Sequence, residues 1–174
     1  MSDAEGQTRT RTISWEDPHA AAEAGRSLSG IEYLQKIIAG ELARPPMGAL
    51  MNFSIIEIGE GRAIFGAEPA EYHYNPNGTV HGGLAAALLD SAMGCAVHTL
   101  LPAGAGYTTL EIKVNYIRPM NRDTGPVRCE GTIIHAGART ATAEGRITDL
   151  RGKLYAHATT TCIVFRPGTE ATKN

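Results

Sequence analysis

Apolar and polar residues alternate in several short runs along the chain, which is the pattern of half-buried strands. Two of these runs, residues 52–58 and 62–69, are separated by Gly-Glu-Gly, so they predict a hairpin. Later runs predict four more strands, at residues 107–117, 127–135, 140–149 and 154–165. Ala-Gly-Ala and Leu-Arg-Gly-Lys join the last three and are typical of tight turns. Because short turns join antiparallel neighbours, the sequence predicts an antiparallel sheet.

One long run between these strands does not alternate. Residues 84–101 are rich in Ala and Leu, are apolar on nearly every side and are followed by Pro102. That length and composition favour a buried helix over a strand. With the two glycines before it, the helix is expected at about residues 82–101. The predicted fold class is α+β, an antiparallel sheet wrapped around this central helix.

An extra helix is predicted in the N-terminal part of the chain. It runs from Ser29 to Ala43, with Ser29 as its N-cap, Gly40 inside it and Pro45-Pro46 as its stop. A shorter helix could start at Asp17 or Pro18.

The chain is interpreted as one domain flanked by two polar ends. Residues 1–28 are expected to form a partly mobile arm, and residues 167–174 a C-terminal tail. Residues 29–166 are the domain, with its core in residues 47–166.

Composition excludes several classes of protein. The chain has 174 residues, 43% of them apolar, and a formal net charge of −2. It therefore lacks the excess of positive charge that is typical of a nucleic-acid-binding protein. No uninterrupted apolar run approaches the roughly 18 residues of a membrane span, since Asp90 interrupts the stretch at residues 84–101. The first residues lack the apolar core of a secretory signal, so a cytoplasmic location is expected.

Neither a metal site nor a disulfide is expected. Cys95, Cys129 and Cys162 are far apart and form no C-x-x-C pair, so they are interpreted as reduced, packed thiols. The histidines outside the central segment show no ligand spacing, and no metal is assigned to them.

Asp90 is the anomaly of the central helix. It lies within Ala-Ala-Ala-Leu-Leu-Asp-Ser-Ala-Met-Gly, where an unpaired carboxylate would cost several kcal/mol of burial or shift its pKa upward. A carboxylate in such a place suits a general base or a nucleophile. The structural alternative is that Asp90 accepts hydrogen bonds from a neighbouring loop or caps another helix.

Gly82 and Gly83 form the entrance to the same helix. The first N–H groups of a helix have no internal partner, and glycines let a ligand approach them closely. A thioester carbonyl placed there would be polarised and its tetrahedral oxyanion stabilised. A plain loop-to-helix turn is the alternative interpretation.

Spacing along the helix predicts a shared site. Asp90 lies eight residues beyond Gly82, which is roughly 12 Å at 1.5 Å per residue. One reacting carbon cannot touch both groups of one helix. Two such helices running antiparallel across a two-fold axis would bring Gly82 of one chain near Asp90 of the other, so a homodimer is expected.

The segment from Asn75 to Asp90, Asn-Pro-Asn-Gly-Thr-Val-His-Gly-Gly-Leu-Ala-Ala-Ala-Leu-Leu-Asp, resembles a known family. It is similar to the hotdog-fold thioesterases of the phenylacetate-degradation type, related to the 4-hydroxybenzoyl-CoA thioesterase group. The resemblance extends over most of residues 47–166, including Tyr-Thr-Thr-Leu-Glu-Ile-Lys-Val-Asn-Tyr-Ile-Arg-Pro from Tyr107.

The resemblance implies a role for each matched position. Asp90 stands at the catalytic carboxylate, and Gly82 at the backbone N–H that polarises the carbonyl. Asn75 would orient the thioester or the water, and Thr109 would position the water. His81 would hold the oxyanion loop. Members are commonly dimers of dimers in which one chain supplies the carboxylate and the other the glycine.

Each matched residue also has a purely structural interpretation. Asn75 could be a turn residue before Pro76, His81 a hydrogen-bonded core histidine and Thr109 an ordinary β-former. The sequence departs from some relatives at Gly94: those relatives carry a Thr at this position, one helical turn beyond the carboxylate.

Coenzyme A carries phosphates, so cationic groups are expected near the mouth of the site. The predicted substrate contacts are Gly83, Arg118, Arg139 and Arg122, with solvated surface arginines as the alternative.

The function that follows is hydrolysis of an acyl- or aryl-CoA thioester to the free acid and CoA. No cofactor is expected, because coenzyme A is part of the substrate. Two rivals stay open: an enoyl-thioester hydratase or dehydratase on the same fold, and a non-catalytic acyl-CoA binding module.

Overall fold

The computed structural model describes residues 8–166. In chain order the helices and strands are α1 Pro18–Gly25, α2 Gly30–Ala39, α3 Pro46–Met51, β1 Phe53–Gly59, β2 Arg62–Ala67, α4 Gly82–His98, β3 Gly106–Tyr116, β4 Val127–Ala136, β5 Thr140–Asp149 and β6 Leu154–Phe165. Single 3₁₀ turns lie at Glu71–His73 and Arg122–Thr124. The predicted tail, residues 167–174, and the first seven residues of the arm lie outside the described range.

The strands form one antiparallel sheet in the order β1-β2-β4-β5-β6-β3. The predicted α+β class, a sheet wrapped around a central helix, is confirmed. β5 and β6 have the predicted bounds, and the other strands differ by one or two residues at their ends. β3 pairs with β6 on one side only, so its other edge carries no strand of the described chain.

Helix α4 packs against one face of the sheet because its side chains are apolar almost all round. Leu84, Leu88, Leu89 and Met93 are buried against the strands. Gly131 on β4 permits the closest approach: a Cβ there would lie 2.4 Å from the backbone carbonyl of Ala92. The helix and the sheet therefore meet backbone to backbone at this point.

The N-terminal helices follow their capping residues. Ser29 caps α2, as the sequence predicted, and forms a capping box with Glu32. The short helix expected to start at Asp17 or Pro18 is α1, which begins at Pro18 with Asp17 as its N-cap. The predicted end of α2 at Ala43 was wrong. Gly40 is not inside the helix but is its left-handed C-cap (φ 77°), a conformation that glycine adopts without steric cost.

Helix α3 was missed because Pro45-Pro46 was interpreted only as a stop. Pro46 occupies the first turn of α3, where a proline is favoured because that position needs no N–H. The extended segment before α1 crosses α3. Arg11 donates to the carbonyls of Ala49 and Leu50, each at 2.7 Å, and its guanidinium lies 4.1 Å from the ring centroid of Tyr72.

No helix among residues 8–166 is both long enough and apolar enough to cross a membrane.

Candidate active site

Asp90 faces the edge strand of the sheet. It is half-buried on α4, and its Oδ1 accepts a hydrogen bond of 2.8 Å from the Oγ1 of Thr109 on β3. No other described residue donates to this carboxylate. Thr109 therefore fixes one carboxylate oxygen and leaves the other with a free lone pair, which suits proton abstraction or attack.

The start of α4 is built by His81. His81 is the N-cap, and its Nδ1 accepts a hydrogen bond of 2.8 Å from the N–H of Gly83. The N–H of Gly82 finds no acceptor among the described residues. The helix thus presents one unpaired backbone donor at its positive end, and that donor belongs to Gly82.

Tyr116 supports this turn from the far end of β3. Its hydroxyl donates to the carbonyl of Gly82 at 3.2 Å, and its ring would lie 3.1 Å from a Cβ at Gly82. Sequence reasoning missed Tyr116 as a site residue. Its only signal was its place at the end of a strand, and that does not specify what a side chain contacts.

Asn75 holds the loop that leads to α4. Its Oδ1 accepts from the N–H groups of Asn77 (2.9 Å) and Thr79 (3.3 Å), and its Nδ2 donates to Thr79 Oγ1 (3.2 Å). Both ends of the amide are thus engaged within the turn, as the structural interpretation of Asn75 expects. The second N–H of the Nδ2 group has no acceptor among the described residues, and this is the part of Asn75 that remains available to a substrate.

The carboxylate and the free N–H open into different cavities of one chain. Asp90 and Thr109 line a cavity of about 1050 Å³, which extends to Phe53 and to Trp15 in the N-terminal segment. His81 and Gly82 line a second cavity of about 320 Å³. The structure therefore brings Asp90 together with Thr109, and Gly82 together with His81, but it does not join the two pairs within one chain.

Of the three arginines singled out by sequence, one lies at the glycine turn. Arg118 lines the smaller cavity and donates through Nη1 to the carbonyl of Leu154 at 2.6 Å. Arg122 lies in a 3₁₀ turn with its guanidinium 3.6 Å from Asp123. Arg139 is exposed in the β4–β5 turn.

Other reactive groups near Asp90 are not activated. Burial raises the pKa of the Cys95 thiol to about 12, with a further contribution from the charge of Asp90, so this thiol stays protonated. Within residues 8–166, no group of three or more His, Cys, Asp or Glu side chains could hold a metal ion.

Comparison with known proteins identifies the family of this chain. Residues 77–156 match the thioesterase superfamily. The chain is 27% identical over 104 residues to the 1,4-dihydroxy-2-naphthoyl-CoA hydrolase of Listeria monocytogenes, covering 60% of this chain and 83% of that protein.

Two solved structures extend the match. Conserved protein PA5202 of Pseudomonas aeruginosa is 30% identical with a TM-score of 0.66, covering 70% of this chain and 95% of that one. A mutant of the phenylacetic acid degradation protein PaaI of Thermus thermophilus is 28% identical with a TM-score of 0.62, covering 68% of this chain and 98% of that one. The chain therefore belongs to the thioesterase superfamily, in its PaaI-like hotdog branch.

Proposed function

We propose that this thioesterase hydrolyses an acyl-CoA thioester to the free acid and CoA, at sites shared between two copies of the chain. The observation that carries the proposal is the Asp90 carboxylate, held by Thr109 at 2.8 Å in a large cavity with its second oxygen unpaired. The unpaired N–H of Gly82 supplies the complementary group.

In the proposed reaction the thioester carbonyl oxygen accepts a hydrogen bond from the Gly82 N–H. Asp90 of the partner subunit removes a proton from a water molecule, whose oxygen attacks the carbonyl carbon. The tetrahedral oxyanion is stabilised by the same N–H at the positive end of α4. Its collapse breaks the C–S bond, and the departing thiolate of CoA takes up the proton.

An alternative first step starts from the same geometry. Asp90 attacks the carbonyl carbon directly, CoA leaves, and water then hydrolyses the mixed anhydride. Single turnover in oxygen-18 water separates the two routes, because label enters the Asp90 carboxylate only if Asp90 is the nucleophile.

The open edge of β3 supports the two-fold arrangement. Thr109, which contacts Asp90, and Tyr116, which contacts Gly82, lie at opposite ends of this edge strand. Antiparallel pairing of β3 with the β3 of a second copy, centred around Ile112 and Lys113, would set Thr109 opposite the partner's Tyr116. The same pairing would bring each carboxylate to the other chain's glycine turn.

Helix α4 offers a matching surface. Its half-buried residues include Gly83, Ala86, Ala87 and Ser91, all of which are small. Small side chains let a second helix approach closely, which an antiparallel pair of α4 helices requires.

His81 argues against the dehydratase alternative. Its Nδ1 lone pair is occupied by the Gly83 N–H, so in the neutral ring the other nitrogen carries the proton. His81 is therefore a donor in this structure and not a base for removing a proton from an acyl group.

The test is thiol release from a panel of acyl-CoA thioesters by the wild type and by Asp90→Asn. The variant keeps the shape of the side chain and should lose about 10²–10⁴-fold in kcat. Ser91→Ala is the matched control, because Ser91 lines the same cavity and its hydroxyl donates only to the carbonyl of Ala87. Full turnover in Asp90→Asn, or hydration of an enoyl thioester without thiol release, would contradict the proposal.

A further inference from the structure

The extended segment before α1, residues 8–16, is held against the domain by two arginines, and we call it the N-terminal strap. The guanidinium of Arg11 donates two hydrogen bonds, each of 2.7 Å, to carbonyls in the last turn of α3, and it lies over the ring of Tyr72. Carbonyls at the end of a helix have no partner within the helix, and a cation is favoured there. Arg9 adds an ion pair with Glu71 at 2.8 Å. The strap therefore has a defined path across the surface.

This path ends at the cavity that contains the carboxylate. Ser14, Trp15 and Glu16 line the cavity of Asp90, and 60% of the surface of Trp15 is exposed. An exposed indole at the wall of a cavity gains free energy when an apolar ligand removes its surface from water. Trp15 is thus a contact that is available to a ligand bound at Asp90.

The rest of the cavity suits an apolar ligand of some length. Its volume of about 1050 Å³ lies at the upper end of the range for small-molecule sites, far beyond what an acetyl group fills. Its lining includes large apolar side chains from α2, α3, β1 and β2, namely Leu34, Ile37, Met47, Phe53 and Phe65. A hydrocarbon chain that starts at the carboxylate can therefore stay in apolar surroundings as far as the strap.

The proposed reaction decides which part of the substrate enters this cavity. The thioester lies between the Gly82 turn of one chain and Asp90 of the partner subunit. The cavity of Gly82 contains Arg118, a cation that suits the phosphates of CoA. The cavity of Asp90 is then left for the acyl group, so each strap faces the acyl group that is bound at the Asp90 of its own chain.

Resting on the proposed function, we propose that the N-terminal strap forms the outer end of the acyl site and that Trp15 makes the enzyme prefer long hydrocarbon acyl groups. The indole contacts the terminal methylenes of the chain, whereas an acetyl group stays near Asp90 and does not reach it. Arg11 is a positioning residue: it lies four residues before Trp15 and fixes the strap without contacting the substrate.

Tryptophan fluorescence tests the contact directly, because Trp15 is the only tryptophan of the chain. The full chain with Asp90→Asn should bind thioesters without hydrolysing them. Saturating decanoyl-CoA should then move the emission maximum to shorter wavelength, because the indole leaves water. Acetyl-CoA and free CoA should leave the maximum unchanged. An unchanged maximum with decanoyl-CoA, or a shift of equal size with all three compounds, would overturn the contact.

Chain-length kinetics test the preference in the wild type. Trp15→Ala should raise KM for decanoyl-CoA at least about fourfold, the effect of about one methylene's worth of buried apolar surface, and leave acetyl-CoA turnover unchanged. Arg11→Ala should raise the same KM with kcat unchanged, because the strap is no longer fixed. Arg26→Ala is the matched control for Arg11, since Arg26 is an exposed arginine that pairs with Glu23 and does not line the cavity.

Thermal unfolding checks that each variant is folded. Three results would each overturn the role of Trp15: an unchanged KM for decanoyl-CoA in Trp15→Ala, an equal loss of acetyl-CoA and decanoyl-CoA turnover in that variant, or a wild type that prefers acetyl-CoA. A wild type that releases thiol from short acyl-CoAs alone would contradict the strap proposal and leave the proposed function intact. A wild type that releases no thiol from any acyl-CoA would overturn the proposed function itself, so the two failures are distinguishable.

Discussion

Replacing Gly82 by proline removes the proposed oxyanion donor with little change to the helix. Gly82 is the first residue of α4, where a proline is tolerated because its missing N–H has no helical acceptor. His81 already has φ −61° and ψ 134°, the extended backbone that a residue before proline prefers. Removing one such donor should lower kcat by about 10²–10³-fold, equivalent to about 2.7–4 kcal/mol of transition-state stabilisation.

Gly82→Ala separates the loss of the N–H from the added bulk. Alanine keeps the donor and places its Cβ against Tyr116, at 3.1 Å before relaxation, as the proline ring also would. Thiol release under single-turnover conditions gives the rate of the chemical step, and thermal unfolding checks that both variants are folded. If Gly82→Pro is as active as Gly82→Ala, the Gly82 N–H does not stabilise the oxyanion.

Three further predictions concern other parts of the molecule. Thr109→Val removes the hydrogen bond from the Thr109 hydroxyl to Asp90 Oδ1. Because that hydrogen bond is charge-assisted, its loss should lower kcat about tenfold with little change in unfolding temperature. Steady-state kinetics measure the change in kcat. Gly131→Ala should destabilise the fold by about 1–3 kcal/mol, because its Cβ would meet the Ala92 carbonyl; chemical denaturation measures this, and unchanged stability would refute the contact. Burial lowers the pKa of His98 below 6.5. The neutral, buried His98 ring therefore makes its full contribution to the free energy of unfolding above about pH 6.5. This contribution is lost as the pH falls from there through the folded-state pKa. The fall in unfolding temperature between pH 7 and pH 5 should be smaller in His98→Gln.

The fold could be predicted well from sequence because its strongest signals are local. Short turns join β4 to β5 and β5 to β6, and α4 is a long apolar run between two strand groups. The errors occurred where one residue type permits two structures. Gly40 can weaken a helix or end it, and Pro46 can stop one helix or start the next.

The candidate site could be predicted only in part. Asp90 and Gly82 were visible as a carboxylate in an apolar helix and a glycine turn at its start. The contact of Tyr116 with Gly82 could not be predicted, because it depends on which helix residue this strand position meets in three dimensions. The hydrogen bond from Thr109 to Asp90 spans 19 residues and follows from the same packing. For Asn75, the hydrogen bonds to Thr79 fit the turn interpretation that the sequence left open.

Mixing two inactive variants tests the shared site most directly. One chain carries Asp90→Asn and the other Gly82→Pro, and the two are co-expressed with different tags. In a mixed dimer one site combines the intact Gly82 of the first chain with the intact Asp90 of the second, while the other site has lost both groups. Random pairing makes about half of the dimers mixed, so the mixture should recover about a quarter of wild-type activity per chain.

Mixed dimers isolated through both tags should reach about half of wild-type activity, since one of their two sites is intact. If the isolated mixed dimers are no more active than either parent, Asp90 and Gly82 do not act across the interface, and the proposal of a shared site is wrong.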